Sequence, residues 1–374
     1  MTHTRRTFLG GVASLAASSI AVRPAQGQTP TAAAPVTPGA AAQAAGGPVA
    51  RKGIKLGLDH FAIRGFNWKA PQLIDYAASQ KLDAIFLSEL NVLESRDDAY
   101  LKGLRAQAEK GGLTLYLGMS SVCPTSGTFD AKAGTAVEQL RDGIRMAKTV
   151  GSPVIRCFLG NQADRGTQGG IETHIRNAVD VCKAVRADAV AAGVKIAFEN
   201  HAGDMQAREL KGLIEAAGSD IVGVCLDSGN PVWTVEDPHL TLDTLAPYVL
   251  TSHMRDSALW KTPEGIAVRW TRMGEGNMGM EDYLRTYLQK CPGRAVSLEV
   301  IVSAQPRMFN YANPDAWALY RNQPAWEFAR FLALAEKGKP TPEPPPDPSS
   351  TPAARNLANV ESSIRWTQAF LATL

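Results

Sequence analysis

Ala197-Phe198-Glu199-Asn200-His201, Val224-Cys225-Leu226-Asp227, Leu250-Thr251-Ser252-His253 and Val296-Ser297-Leu298-Glu299 each carry an apolar run into an oxygen or imidazole ligand. A buried parallel strand reads as a near-continuous hydrophobic run, and its last residue delivers a side chain to the mouth of a barrel. Three carboxylates and one neutral imidazole suit a hard or borderline divalent cation better than structural zinc, which favours thiolates. Three buried acids without a cation would repel one another. The four together therefore read as one metal site, formed by Glu199, Asp227, His253 and Glu299.

Working outward, β-type runs at 55–61, 84–89, 114–120, 154–159, 195–199, 222–227, 249–255 and 295–300 alternate with amphipathic stretches. Those stretches lie at 71–80, 97–110, 135–150, 171–192, 207–217 and 280–289, with one more at 324–336 after the last strand. Glycines at 111, 112, 151, 193 and 218 stand where helices should stop. Such alternation predicts a parallel α/β sheet. Eight units in roughly 290 residues match a single-domain (β/α)8 TIM barrel, whose usual length is about 250 before insertions. No GxGxxG follows the first strand, and the glycine-rich stretch 160–170 lacks a Walker lysine.

The chain of 374 residues is 45% hydrophobic and 20% charged, with a formal net charge of +3, too small to argue for a nucleic-acid or membrane surface. Its five cysteines form no CxxC pair, so a disulfide framework is not expected. Thr4-Arg5-Arg6-Thr7-Phe8-Leu9, followed by an Ala/Gly-rich stretch, resembles a twin-arginine export signal over 1–27. It is too short and too weakly apolar for a membrane span, and it implies a periplasmic protein. Residues 28–52 read as an uncharged Ala/Pro linker ahead of a barrel at 53–338. A proline-rich linker at 339–352 leads to an amphipathic helix at 353–374 with Leu357, Val360, Ile364, Phe370 and Leu371 near helical spacing. Whether that helix packs on the body or on another subunit of a homo-oligomer is left open by the pattern.

Phe198-Glu199-Asn200-His201, Leu226-Asp227-Ser228-Gly229-Asn230, Ser252-His253-Met254-Arg255-Asp256 and Leu298-Glu299 resemble the metal-site motifs of the xylose-isomerase-like barrel superfamily. Gly274-Glu275-Gly276-Asn277 resembles a Gly-x-Gly segment common there. That group includes sugar isomerases and epimerases of the tagatose 3-epimerase type, inosose dehydratases and the endonuclease IV family. The resemblance implies Glu199, Asp227, His253 and Glu299 as ligands of one divalent ion, Mn²⁺ first, with Mg²⁺, Co²⁺ or Zn²⁺ as alternatives. In the epimerase branch the two glutamates double as the acid/base pair. It therefore implies an isomerase or epimerase acting on a small sugar through a metal-bound enediolate, or a lyase on a keto-sugar or sugar acid using the same intermediate. The epimerases usually carry His three residues after the metal-binding Asp, where this chain has Asn230. Further histidines needed for a multi-zinc nuclease are missing from the second, third and seventh strand ends, which speaks against nucleic acid as a partner.

Other residues at strand ends are candidates for substrate contact. His201 adjoins a glutamate ligand and is expected to orient it or polarise a substrate oxygen. His60, Arg156, Asn230, Arg255 and Glu275 are the expected substrate-binding residues. An arginine on a barrel strand is costly unless paired, with either a substrate carboxylate or a ligand carboxylate as partner. Trp68, Trp233, Trp260 and Trp270 fall in loops after strands one, six and seven, where they would stack on a sugar or form a lid.

Overall fold

A computed structural model describes residues 53–340 and 350–374. The export signal, the 28–52 linker and most of the 339–352 linker lie outside the described residues. Seven strands come first: β1 (Leu56–Asp59), β2 (Ala84–Leu87), β3 (Thr114–Ser121), β4 (Val154–Phe158), β5 (Lys195–Glu199), β6 (Val222–Asp227) and β7 (Val249–His253). They are followed by β8 (Asp256–Thr262), β9 (Gly265–Thr271), β10 (Val296–Leu298) and β11 (Arg307–Phe309).

β1 to β7 and β10 form one parallel sheet in the order β10-β1-β2-β3-β4-β5-β6-β7. Its two ends meet just beyond β7. The Met254 N–H donates to the Ser297 carbonyl at 2.6 Å, and the Glu299 N–H donates to the Met254 carbonyl at 2.9 Å. This parallel bridge closes the ring into the predicted (β/α)8 TIM barrel. Inside it Phe86, Val154, Ala197 and Cys225 pack together, with Tyr116 and Leu250 against them. Strand side chains alternate between faces, so the residue two beyond each apolar one also points inward. From Ala197 that step reaches Glu199, and from Cys225 it reaches Asp227. The apolar layer is thus the floor beneath the polar strand ends.

The helices follow local rules. Helix Ala136–Val150 opens on a Thr135–Glu138 capping box and ends at Gly151, whose φ of 79° suits glycine. The stretch 171–192 divides at Val185 into Gly170–Ala184 and Arg186–Ala192. Among the described residues no helix is long and apolar enough to cross a membrane.

Two features depart from simple alternation. β8 and β9 are an antiparallel hairpin inserted after β7, joined by β11 to form a second sheet. Trp260 and Trp270, expected in a loop, lie on this hairpin. Helix Ala325–Lys337 follows the last barrel strand but packs on the hairpin, where Phe331 and Ala335 share a small core with Leu259, Ile266 and Val268. The place of the eighth barrel helix goes to Pro352–Ala372, whose Val360, Ile364 and Leu371 join the main core. The Arg285 guanidinium of helix Met280–Lys290 sits over its Phe370 ring at 4.9 Å. The charges of Glu361 and Arg365 reach Tyr76 of helix Ala70–Ser79. The helix therefore lies between the seventh and the first barrel helices, packed on the body of its own chain.

Ile364→Ala should accordingly lower the unfolding free energy by about 2–5 kcal/mol. Trp326→Ala, at a position 57% exposed, should change it by no more than about 0.5 kcal/mol. Denaturant titration of both variants checks this, and a small effect at Ile364 would remove the helix from the core.

A second expectation concerns Glu236, a buried carboxyl in the loop after β6. It accepts hydrogen bonds from the Ala207 N–H at 3.0 Å and the Thr234 hydroxyl at 3.1 Å. Burial pushes its pKa from 4.5 up to about 8. The folded state then holds more protons than the unfolded state between those values, so stability falls as pH rises from 4.5 to 8, by at most about 1.4 kcal/mol per pH unit. Unfolding measured at pH 5 and pH 8 should show a smaller loss in Glu236→Gln than in the native chain.

Candidate metal centre

Glu199 ends β5, Asp227 ends β6, His253 ends β7, and Glu299 follows β10. The parallel register sets Glu199 beside Cys225 and Asp227 beside His253. One donor atom from each of Glu199, Asp227, His253 and Glu299 lies within 4.8 Å of the others, and all four residues are buried. His253 is central: its Nδ1 is 3.0 Å from Glu199 Oε2 and 3.3 Å from Glu299 Oε2. Phe86 meets the imidazole edge-on at 4.7 Å from below.

Backbone and amide contacts aim these donors. Asn200 donates to the Asp227 carbonyl and accepts from the Asp227 N–H, both at 2.8 Å, which ties the ends of β5 and β6 together. Asp227 Oδ1 accepts the Gly229 and Asn230 N–H groups at 2.7 Å. Oδ2 is left without an aligned hydrogen bond and faces the cluster. The Asn230 amide donates to Glu199 Oε1 at 3.1 Å.

Two buried arginines enter the same space. Arg156 Nε donates to Glu199 Oε2 at 2.6 Å. The Arg255 guanidinium pairs with Glu299 and lies 2.6 Å from Asp227 Oδ2. Both arginines thus take ligand carboxylates as partners. Trp270 from the hairpin covers Arg255 at 4.5 Å and stacks on Trp233 at 4.3 Å. A Cβ at Gly229 would collide with Arg255, so glycine is required there for the close approach.

One further carboxylate belongs to this group and escaped the sequence reading. Asp59, at the end of β1, brings Oδ2 to 2.9 Å from His253 Nε2, bent away from ideal hydrogen-bond alignment. Its Oδ1 accepts the Phe61 N–H at 2.7 Å and the Ser88 hydroxyl at 2.8 Å. Leu56-Gly57-Leu58-Asp59 carries the same signature as the other four, an apolar run into a ligand. The first strand was read through His60 to Phe61, two residues past its end at Asp59.

The charges favour a cation here. Four carboxylates against two guanidiniums leave two negative charges with His253 neutral, the complement of one divalent ion. Burial raises the Asp227 carboxyl, opposed by Arg255 and reinforced by Glu199 and Glu299, to about 7. Burial disfavours charge on His253, yet the fields of Asp59, Glu199 and Glu299 outweigh it and lift its pKa well above the ordinary value. Burial also penalises the Glu199 carboxylate, but Arg156 and His253 outweigh it and hold the carboxyl well below its usual range. Cys225 shares the cluster with Glu199 and His253, but burial pushes its thiol up to about 11 and keeps it protonated. The donor set of three carboxylates and one imidazole, gathered within 4.8 Å of one another, fits one divalent cation.

The remaining candidates divide. His201 lies beside the cluster, stacked on Phe158 at 4.2 Å, with Nδ1 donating to the Gly160 carbonyl at 2.9 Å. Burial lowers its pKa, so the ring is neutral with Nε2 free to accept. His60 is buried one residue past Asp59, and its Nδ1 accepts the Ser88 N–H at 3.1 Å. Glu275 is exposed and pairs with Arg272 at 2.9 Å, away from the cluster.

A sequence model of the xylose isomerase-like TIM barrel matches residues 74–318. The chain belongs to this family. Within it, the chain is similar to 3-oxo-isoapionate decarboxylase of Pectobacterium atrosepticum, 22% identical over 213 residues that cover 54% of this chain and 69% of that protein. D-psicose 3-epimerase with D-tagatose from Clostridium cellulolyticum H10 aligns with a TM-score of 0.53 at 15% identity, over 75% of this chain and 96% of that one. The IOLI protein with a binding zinc atom aligns at 0.50 and 16% identity, over 77% of this chain and all of that one (100%). At these identities the structural likeness speaks for the fold. The proteins this chain resembles thus include a decarboxylase, an epimerase and a protein with a bound zinc atom.

Because a carboxylate behind a ligand histidine fixes its orientation and basicity, Asp59→Asn should weaken Mn²⁺ or Zn²⁺ binding by about 10–100-fold. Metal titration by calorimetry reads the affinity, and circular dichroism confirms the fold. Unchanged affinity would separate Asp59 from the metal site.

Proposed function

We propose that this protein is a divalent-metal-dependent sugar isomerase or epimerase acting on a small polyhydroxy carbonyl compound through an enediolate. The observation that carries the reading is the pair Glu199 and Glu299, both within reach of one His253 nitrogen at 3.0 and 3.3 Å. Glu199, Asp227, His253 and Glu299 would hold the cation. When bound, it supplies Lewis-acid stabilisation of charge developing on a carbonyl oxygen and its neighbour.

The rest falls to the side chains. One glutamate takes the proton from the carbon beside the carbonyl, and the C–H electron pair becomes the C=C bond of the enediolate. The other glutamate, protonated at the start of the step, gives that proton to the opposite face, inverting that carbon. Return to the adjacent carbon converts ketose and aldose instead. Arg156 keeps Glu199 ionised and ready as a base. Arg255 holds Glu299, while Asn230 and the free Nε2 of His201 supply hydrogen bonds for hydroxyl groups.

A lyase on a keto-sugar or keto-sugar acid is the second reading, by decarboxylation, dehydration or β-elimination. Two observations favour it: Asn230 stands where epimerases carry histidine, and the two buried guanidiniums at the cluster suit an acidic substrate. The proposal also includes twin-arginine export to the periplasm, resting on Arg5-Arg6 and Phe8-Leu9.

The test is mass spectrometry of Mn²⁺-loaded protein incubated in D₂O with neutral sugars, 3-keto-sugars and keto-sugar acids. Deuterium incorporated with mass otherwise conserved is the expected outcome; loss of water, an alcohol or CO₂ moves the protein to the lyase reading. Glu199→Gln and Glu299→Gln should each cut turnover by about 10²–10⁴-fold. Full turnover in both would end the acid/base assignment.

A further inference from the structure

The loops that follow β4 and β5 are tied together by a closed ring of hydrogen bonds, and His201 is one of its corners. His201 Nδ1 donates to the Gly160 carbonyl at 2.9 Å. The Gly160 N–H donates to Asp204 Oδ2 at 3.2 Å, and the Asp204 N–H donates back to the His201 carbonyl, also at 3.2 Å. Asp204 is fully buried and is not one of the cluster residues, so neither metal binding nor the glutamate pair accounts for it.

Each corner is braced. Arg165 Nη1 donates to the Asp204 carbonyl at 2.5 Å and, with Nη2, forks onto the Glu209 carboxylate at 2.7 and 2.9 Å. The other Asp204 oxygen, Oδ1, accepts the Met205 N–H. At Gly160 a Cβ would stand 2.0 Å from Asp164 Oδ2 and 2.6 Å from Ser126 Oγ, so the bare backbone is pressed against that pair. Phe158 stacks on the imidazole at 4.2 Å and sets the plane of the ring. A ring turned over in that plane would keep the stacking and exchange its two edges, so stacking alone does not decide which nitrogen meets Gly160.

The Gly160 carbonyl decides it. A carbonyl oxygen only accepts, so Nδ1 carries the proton of the neutral ring and Nε2 is left as an acceptor. The ring feels the charges of Glu199, Arg156 and Glu299, which places it beside the reacting groups. There Nε2 can take a hydrogen bond from a hydroxyl group. The opposite tautomer would present an N–H and lose that role.

We propose that Asp204 is a positioning residue for the reaction at the metal cluster: by holding Gly160 it keeps the His201 proton on Nδ1 and turns Nε2 to a substrate hydroxyl. The hydroxyl contact rests on the proposed function, whereas the tautomer is a property of the chain alone.

The test uses the full chain loaded with diamagnetic Mg²⁺ and carrying ¹⁵N-histidine. Long-range ¹H–¹⁵N correlation reads the tautomer, and His201→Gln identifies the ring by its missing signals. In the native protein the proton should be on Nδ1. Asp204→Ala takes the acceptor away from Gly160. It should give a mixture of tautomers and a kcat/KM about 10-fold lower on the substrate that the D₂O assay identifies, with Mn²⁺ affinity unchanged. Asp204→Asn keeps one oxygen for the Gly160 N–H, so it should restore the Nδ1 proton and bring kcat/KM to within about threefold of native. A native ring protonated on Nε2, or a tautomer or kcat/KM unmoved in folded Asp204→Ala, would overturn the inference. Should that variant not fold, exchange of the Gly160 amide in the native chain decides: a donor held by a buried carboxyl group exchanges slowly, and fast exchange overturns the role of Asp204. Absence of turnover with every compound, with the tautomer as expected, would instead end the proposed function and the hydroxyl contact together.

Discussion

The structure depends on the bridge at Met254. A parallel sheet of eight strands has two edges until its first and last members are joined, and here they join through a single residue. Both hydrogen bonds of that bridge lie next to the chemistry. Met254 follows His253, and the Glu299 N–H is itself one of the donors. Closing the ring and bringing the eighth strand's glutamate to the seventh strand's histidine are the same event. β10 is only three residues long, and helix Pro352–Ala372 packs into the main core beside it.

Burial of so many ionised groups in so small a space is costly, and the arrangement answers that cost by alternating sign. Arg156 pairs with Glu199, while Arg255 lies between Asp227 and Glu299. The hairpin after β7 has its part in this order, since Trp270 pins Arg255 from outside and bonds the Gly229 carbonyl through Nε1 at 2.9 Å. An insertion far from the barrel floor thereby fixes a guanidinium at the cluster. With Asp59 behind the histidine, the electrostatic balance involves six strand ends rather than four.

Much of the barrel was legible in the amino-acid sequence because parallel strands buried on both faces leave an apolar run that ends on a polar residue. For β5 and β6 even the boundaries agree, 195–199 and 222–227. The clustering of Glu199, Asp227, His253 and Glu299 was legible for the same reason. Asp59 was not, since the apolar run was read on through His60 to Phe61, two residues past the strand's end. The hairpin was hidden by its composition: Trp260, Ala267 and Trp270 are buried, so neither strand shows a clean apolar and polar alternation. The choice between two terminal helices for the eighth position is a matter of packing. Ala325–Lys337 and Pro352–Ala372 are both amphipathic, and spacing alone does not say which core each one faces. The partners of Arg156 and Arg255 are long-range contacts for the same reason open to several carboxylates in the sequence.

The placement of the last helix has a consequence for how the protein is made. Synthesis proceeds from the N-terminus, and domains fold as units when their parts are available. Here the wall between the first and seventh helices is supplied by helix Pro352–Ala372, far along the chain from β10 (Val296–Leu298). A growing polypeptide that has already emerged through β10 still exposes the apolar flank that Val360, Ile364 and Leu371 will cover. The barrel therefore matures only once residues 352–372 are available, and a chain cut short before them carries an uncovered flank prone to aggregation or degradation.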